Sequence, residues 1–158
     1  MAIAKRSSKV AFYGVSTDDG VVYHRMSGFT EFATSKNPIE YSRQYVDEEM
    51  EVTDVVGYAP SVSYEFDLFD DNPVHKDMAA IADNESVGGA AVRTIIIVDV
   101  GADKKAAIKR EFSVIPDGEG ASMDAYTYSG SLKVKGEKVF GTAESTDGWK
   151  TCVFTESV

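Results

Sequence analysis

The sequence predicts a mainly β protein: an antiparallel β-sandwich or open barrel with one short flanking helix and a long loop between two early strands. Three observations carry that expectation. Short runs rich in β-branched and aromatic residues recur along the chain, two of them bounded by Asp-Gly turns. One run, "SVSYEFDLF", alternates apolar and polar residues without a fault. A single stretch, 72–86, switches to helical spacing.

In chain order, "KVAFYGV" and "VVYHRM" are strands joined by "STDDG", whose Asp19-Gly20 is a hairpin signal, and "GFTEFATS" continues the second run. In "SVSYEFDLF", Val62, Tyr64, Phe66 and Leu68 fall on one face, and Ser61, Ser63, Glu65 and Asp67 on the other. The segment "NPVHKDMAAIADNES" offers Asn72 as N-cap, Pro73 at the first helical position, and Met78, Ala79, Ile81 and Ala82 on one side, which predicts a helix over 73–84. Gly88 and Gly89 let the chain re-enter a strand. "VRTIIIVDV" is continuously apolar and so is expected to be covered on both faces. "GADKK" turns the chain into "AAIKREFSVIP". The last third repeats the pattern with "AYTYSGSLKVKGEKVFGTAE", an Asp147-Gly148 turn and "WKTCVFTES". Length fits one domain over 1–158.

Residues 36–57 do not fit this scheme. They show neither a clean period of two nor a helical face, and "YVDEEMEVTD" puts five acids in eight positions, against burial as a core strand. The segment nevertheless carries Tyr41, Tyr45, Val46, Met50 and Val52, more apolar material than a disordered linker holds. Anchors without an internal place to pack predict a docking arm. Its candidate contact residues are Asn37, Pro38, Tyr41, Arg43, Tyr45, Val46, Asp47, Glu48, Glu49 and Met50. The plain alternative is a mobile surface hairpin.

Composition narrows the function. Apolar content of 43% and charged content of 27% are those of a globular protein, and the net charge of −10 opposes non-specific binding to nucleic acid or anionic lipid. No stretch approaches the roughly 18 apolar residues of a membrane span, and no secretion signal is evident, so a reducing cytoplasm is the expected site of synthesis. Cys152 stands alone in "WKTCVFT", where alternation makes it core-facing; no disulfide or cysteine metal cluster is available. The only histidines, His24 and His75, have no ligand spacing. "DEEMEVTD" lacks the spacing and central glycine of a calcium loop and reads as a solvated acidic face. "ESVGGAAVR" precedes a strand instead of opening a helix, so it reads as a bend and not a phosphate cradle. No G-x-S-x-G elbow is present. The expectation is therefore no catalytic residue, no cofactor and no metal. Lys104, Lys105, Lys109, Arg110, Lys133, Lys135 and Lys138 form either a small positive patch facing a neighbour's acidic arm or a set of strand-edge guards.

The run "SKNPIEYSRQYVDE…TDVVGYAPSVSYEFDLF", followed by "NPVHKDM" and "RTIIIVDV", resembles the major tail (tail tube) proteins of tailed bacteriophages, above all those with long non-contractile tails. The likeness covers most of the chain and is densest over 29–100. It implies a small β-sandwich with a flanking helix, six copies to a ring, and rings stacked into a hollow tube. The subunits' sheets would join into one barrel around a lumen through which DNA passes without specific binding. The arm, 36–57, would correspond to the long loop by which these proteins reach an adjacent subunit or ring. Other tail proteins would meet the tube at its ends, in a virion tail assembled in the bacterial cytoplasm, with no membrane partner. Glu65 and Asp67 are the candidate lumen-facing residues. Tubes of contractile tails, phage-tail-like bacteriocins and type VI secretion share the fold and remain open as alternatives, as does a monomeric acidic binding module.

Overall fold

A computed structural model of the chain describes residues 3, 5, 8–101, 105–120 and 123–157. The described residues form β1 (Lys9–Thr17), β2 (Gly20–Arg25), β3 (Phe29–Ser35), β4 (Pro38–Arg43), β5 (Val52–Tyr58), β6 (Ser61–Asp67), α1 (Pro73–Asp83), β7 (Val92–Asp99), β8 (Ala106–Glu119), β9 (Thr127–Val134), β10 (Val139–Glu144) and β11 (Thr151–Glu156). Nine strands make one antiparallel sheet in the order β10-β11-β2-β1-β7-β8-β9-β6-β3. Strand β10 also returns to pair with β8, through Val139↔Lys109 to Thr142↔Ala106. The first six strands therefore close on themselves as a small barrel, while β8, β9, β6 and β3 run on as an open wing.

Strand β8 makes this division possible. Its 14 residues span about 45 Å, more than twice an ordinary strand. Its first residues pair with β10 in the barrel, and Phe112–Glu119 pair with β9 in the wing. Along its middle it pairs with β7, from Val98↔Ala107 to Val92↔Ser113.

Strand alternation sorts the apolar residues into two cores. Val10, Phe12, Ile96, Val98, Ala107, Ala143 and Cys152 fill the barrel. Tyr13, Val62, Tyr64, Phe66, Ile95, Phe112, Val114 and Leu132 lie on the other face of the sheet, under α1. Strand β7 serves both, Ile95 on one side and Ile96 on the other, which is why its sequence is continuously apolar. Cys152 lies inside the barrel as the alternation predicts, and burial, followed by the Asp147 charge, pushes its thiol up to about 12. Gly141 permits the barrel to close: a Cβ there would stand 2.1 Å from the Thr155 carbonyl oxygen on β11.

Helix α1 begins as its sequence dictates. Asn72 Oδ1 accepts from the Val74 and His75 amides at 3.0 and 3.3 Å, and Pro73 opens the first turn. Val74, His75, Met78, Ala79 and Ile81 face the sheet. On the helix flank Asp77 accepts from Tyr13 Oη at 2.6 Å and from Arg93 Nε at 2.8 Å, tying α1 to β1 and β7. Burial, then the Asp77 carboxylate, drives the Tyr13 phenol far above its ordinary range.

One strand assignment is corrected. The run "GFTEFATS" does not continue β2. Gly28, at φ +76°, redirects the chain, and β3 pairs with β6 at the opposite end of the sheet. The turn is pinned by His75, whose ring lies 2.8 Å from where a Gly28 Cβ would be. His75 is fully buried. Its Nδ1 accepts from the Phe69 amide at 3.2 Å, so Nε2 carries the proton donated to the Ser27 carbonyl at 2.7 Å.

That ring is locked neutral. Burial lowers its pKa, with the hydrogen bond to Ser27 opposing in part. A histidine whose folded pKa is depressed stabilises fully above its unfolded value, about 6.5, and loses that contribution as pH falls through the folded value. The melting temperature is therefore expected to fall as pH is lowered below about 6.5. Calorimetry across that range should show a shallower drop in His75→Gln than in the native chain.

Candidate assembly surfaces

The segment 36–57 is not an irregular loop but a two-stranded antiparallel ribbon. Strands β4 and β5 pair from Pro38↔Tyr58 to Arg43↔Val52, with a register shift between Ile39 and Glu40 that leaves Val56 as the extra residue. The ribbon belongs to neither core. Ile39, Tyr41, Val55, Val56 and Tyr58 are all more than half exposed, and at the tip Val46 is fully exposed and Met50 78% exposed. A lone ribbon is marginal in water, so a row of bare apolar side chains along one is an unfinished surface.

Its two ends are nevertheless built firmly. At the root Asn37 adopts a left-handed conformation, φ 45°, and its Nδ2 donates to the Ala59 carbonyl at 3.0 Å and to Ser61 Oγ at 3.1 Å. Near the tip the Arg43 guanidinium pairs with Asp54 and lies 5.0 and 5.8 Å from the ring centroids of Tyr41 and Tyr45. The turn beyond is held by the Glu48 amide donating to the Tyr45 carbonyl at 3.0 Å. Asp47, Glu48, Glu49 and Glu51 are all exposed there.

The second surface is the wing face turned away from α1. Strand β6 sends Val62, Tyr64 and Phe66 to the core and Ser61, Ser63 and Glu65 to this face, the alternation read from sequence. Register then adds neighbours the sequence does not show. Glu65 stands opposite Glu31 on β3 and Ser129 on β9; Ser63 stands opposite Ala33 and Ser131; Ser61 stands opposite Ser35 and Lys133. Asp67 lies opposite Thr127 at the strand end. Like charges directly opposed across strands destabilise a sheet, so the Glu31–Glu65 pair is a local cost. On β7, Ile96 and Val98 fill the barrel, while Val92 stands opposite Ser113, which is itself opposite Lys133 on this face.

The remaining sequence candidates scatter. Lys104 lies outside the described residues. Lys105 Nζ donates to the Val100 carbonyl at 2.7 Å and Lys109 Nζ lies 5.3 Å from the Phe154 ring centroid, so both serve the barrel. Among the described residues no group of three or more His, Cys, Asp or Glu is placed to hold a metal ion, and no helix is long and apolar enough to cross a membrane.

No protein-family model matches the chain, and no curated protein sequence matches it. Solved structures do. A chain in the six-fold symmetric tail of an empty GTA (gene transfer agent) particle superposes with a TM-score of 0.60 at 11% identity, over 87% of this chain and 98% of that one. A chain of the anti-feeding prophage baseplate, also six-fold symmetrised, superposes with a TM-score of 0.50 at 8% identity, over 90% of this chain and 98% of that one. At these identities the likeness establishes a shared fold, and that fold is one found in tail and baseplate components of phage-like particles.

Proposed function

We propose that the chain is a structural, non-catalytic subunit of a phage-tail-like tube, six copies to a ring and rings stacked around a channel for DNA, in the tail of a virion assembled in a bacterial cytoplasm. The observation that carries this reading is the split between the closed barrel and the open wing. One wing face is sealed by α1; the other is polar, and β3 stands at the end of the sheet. An unpaired edge is a template for another chain, and a closed ring of subunits removes it.

The wing face suits a channel lining. Serines at 61, 63, 129 and 131 present small hydroxyls, and Glu31, Glu65 and Asp67 present negative charge to a phosphate backbone. In this reading the Glu31–Glu65 repulsion is retained because a tube must let DNA slide, not hold it. The exposed ribbon is the arm that reaches the neighbouring copy. The likeness to a baseplate chain favours one further reading: a ring at the end of a tube that does not itself stack.

Negative-stain electron microscopy of the purified protein, concentrated and left to equilibrate, tests both. Hollow tubes of stacked six-fold rings are the expected result. Single rings that never stack would favour the terminal-ring reading. Monomeric particles at every concentration would count against self-assembly.

A further inference from the structure

At the root of the ribbon a cavity of about 580 Å³ is lined by Lys36, Arg110, Lys138, Tyr58, Pro60 and Glu137. Three distant parts of the chain deliver its cations. Lys36 follows β3 at the entry to the ribbon. Arg110 lies where β10 leaves β8 and β9 takes over, and its Nε is fixed by the Gly136 carbonyl at 2.8 Å. Lys138 comes from the turn between β9 and β10.

These charges are not neutralised within the described residues. None of the three belongs to either of the ion pairs found there, Arg43–Asp54 and Arg93–Asp77. Glu137 is the single carboxylate among the lining residues. The Lys36 ammonium, then burial, then Arg110, hold the Lys138 pKa below its usual range, the mark of cations crowded together. In a chain of net charge −10, a cationic cavity of this kind is a local exception.

The complementary surface is on the same chain but out of its own reach. Asp47, Glu48, Glu49 and Glu51 crowd the ribbon tip beside the bare Val46 and Met50. The paired strands hold that tip about 20 Å from the root, at roughly 3.3 Å per residue. A copy therefore cannot seat its own tip in its own cavity. We infer that the acidic tip of one copy's ribbon seats in the Lys36–Arg110–Lys138 cavity of a second copy, carboxylates on the cations and tip apolar side chains against Tyr58 and Pro60. Because tip and cavity are different surfaces, the contact is head-to-tail and propagates into rings or stacks. This inference rests on the self-assembly proposed above and names where the arm lands.

Charge exchange tests it by sedimentation velocity and microscopy on three full-length variants. Lys36→Glu with Lys138→Glu, and separately Glu48→Lys with Glu49→Lys, should each raise the concentration needed for half-assembly by about a hundredfold, because like charges then meet at the contact. The chain carrying all four changes should return to within about tenfold of the native value. All four positions are exposed, so an unchanged melting temperature separates lost contact from lost fold.

A cavity reversal that leaves assembly unaltered overturns the inference while the tube reading stands, as does a four-fold variant no better than the weaker double. A native chain that stays monomeric at all concentrations overturns both. If added inorganic phosphate at fixed ionic strength stabilises the native chain but not the lysine-reversed one, with assembly unaffected, the cavity is an anion site and not a subunit contact.

Discussion

Excising residues 39–57 and joining Pro38 to Tyr58 through an Asn-Gly turn is expected to leave a folded protein that no longer assembles. Pro38 and Tyr58 already face each other across the ribbon, so a two-residue turn closes them without strain. What is removed contributes to neither core. The root clamp of Asn37 on Ala59 and Ser61 stays. The melting temperature should therefore move by no more than about 5 °C. Assembly should fail at every concentration at which the native chain polymerises, because the excision takes away the exposed apolar row and the acidic tip together. Paired melting and sedimentation measurements decide the matter. A shortened chain that still builds tubes would remove the ribbon from assembly altogether.

The largest loss of stability is expected at Phe66. Its ring is fully buried and stacks on His75 at 4.5 Å between centroids and on Tyr128 at 5.6 Å, with Phe29 at 5.0 Å. Few positions link so many elements: β6 carries Phe66, β3 carries Phe29, β9 carries Tyr128 and α1 carries His75. Truncation to alanine leaves a void whose aromatic walls are anchored from separate strands and cannot collapse together. A cost of about 3–5 kcal/mol is expected, from lost transfer energy and the unfilled cavity. Urea unfolding should show an earlier midpoint with an unchanged slope. A loss below about 1 kcal/mol would mean the neighbours close the gap after all.

How much of this was legible in the sequence depended on burial. Strand β6 could be read because one of its faces is core and the other is open, so chemistry follows the period of two. Helix α1 announced itself through Asn72-Pro73 and its apolar side. The ribbon could not be read as strands because neither of its faces is buried, and the extra Val56 breaks what phase there is. Nothing in Ile39–Arg43 or Val52–Tyr58 distinguishes inside from outside, since both sides are outside. Strand β3 reads as a continuation of β2 because only Met26, Ser27 and the left-handed Gly28 separate them, and one glycine in so short a link does not announce a change of sheet position. Partnerships between distant segments were equally hidden. Glu31 beside Glu65, and Lys36 beside Arg110 and Lys138, depend on register and on the gap between β9 and β10, neither of which leaves a local pattern. The positive patch read from sequence held two of the three cavity cations and missed Lys36, which stands alone among polar neighbours.

Closure of the barrel has a consequence for how the chain is made. Strands β1 and β2 emerge first and pair as a hairpin, but the far side of β2 is covered only when Thr151 and Cys152 come to lie against His24 and Tyr23. Between those two events the wing, β3, β6, α1, β8 and β9, can form completely. A partly synthesised chain thus carries a finished wing with β3 at its end alongside a barrel left open at two edges, those of β2 and β10 that β11 will join. In the finished fold β11 covers both barrel edges. Such an intermediate has two more sticky edges than the finished fold, so premature association is expected to yield aggregates in place of the contacts proposed above. In the proposed assembly, the arrival of residues 151–156 is the step that closes the barrel and leaves pairing to the directed contacts.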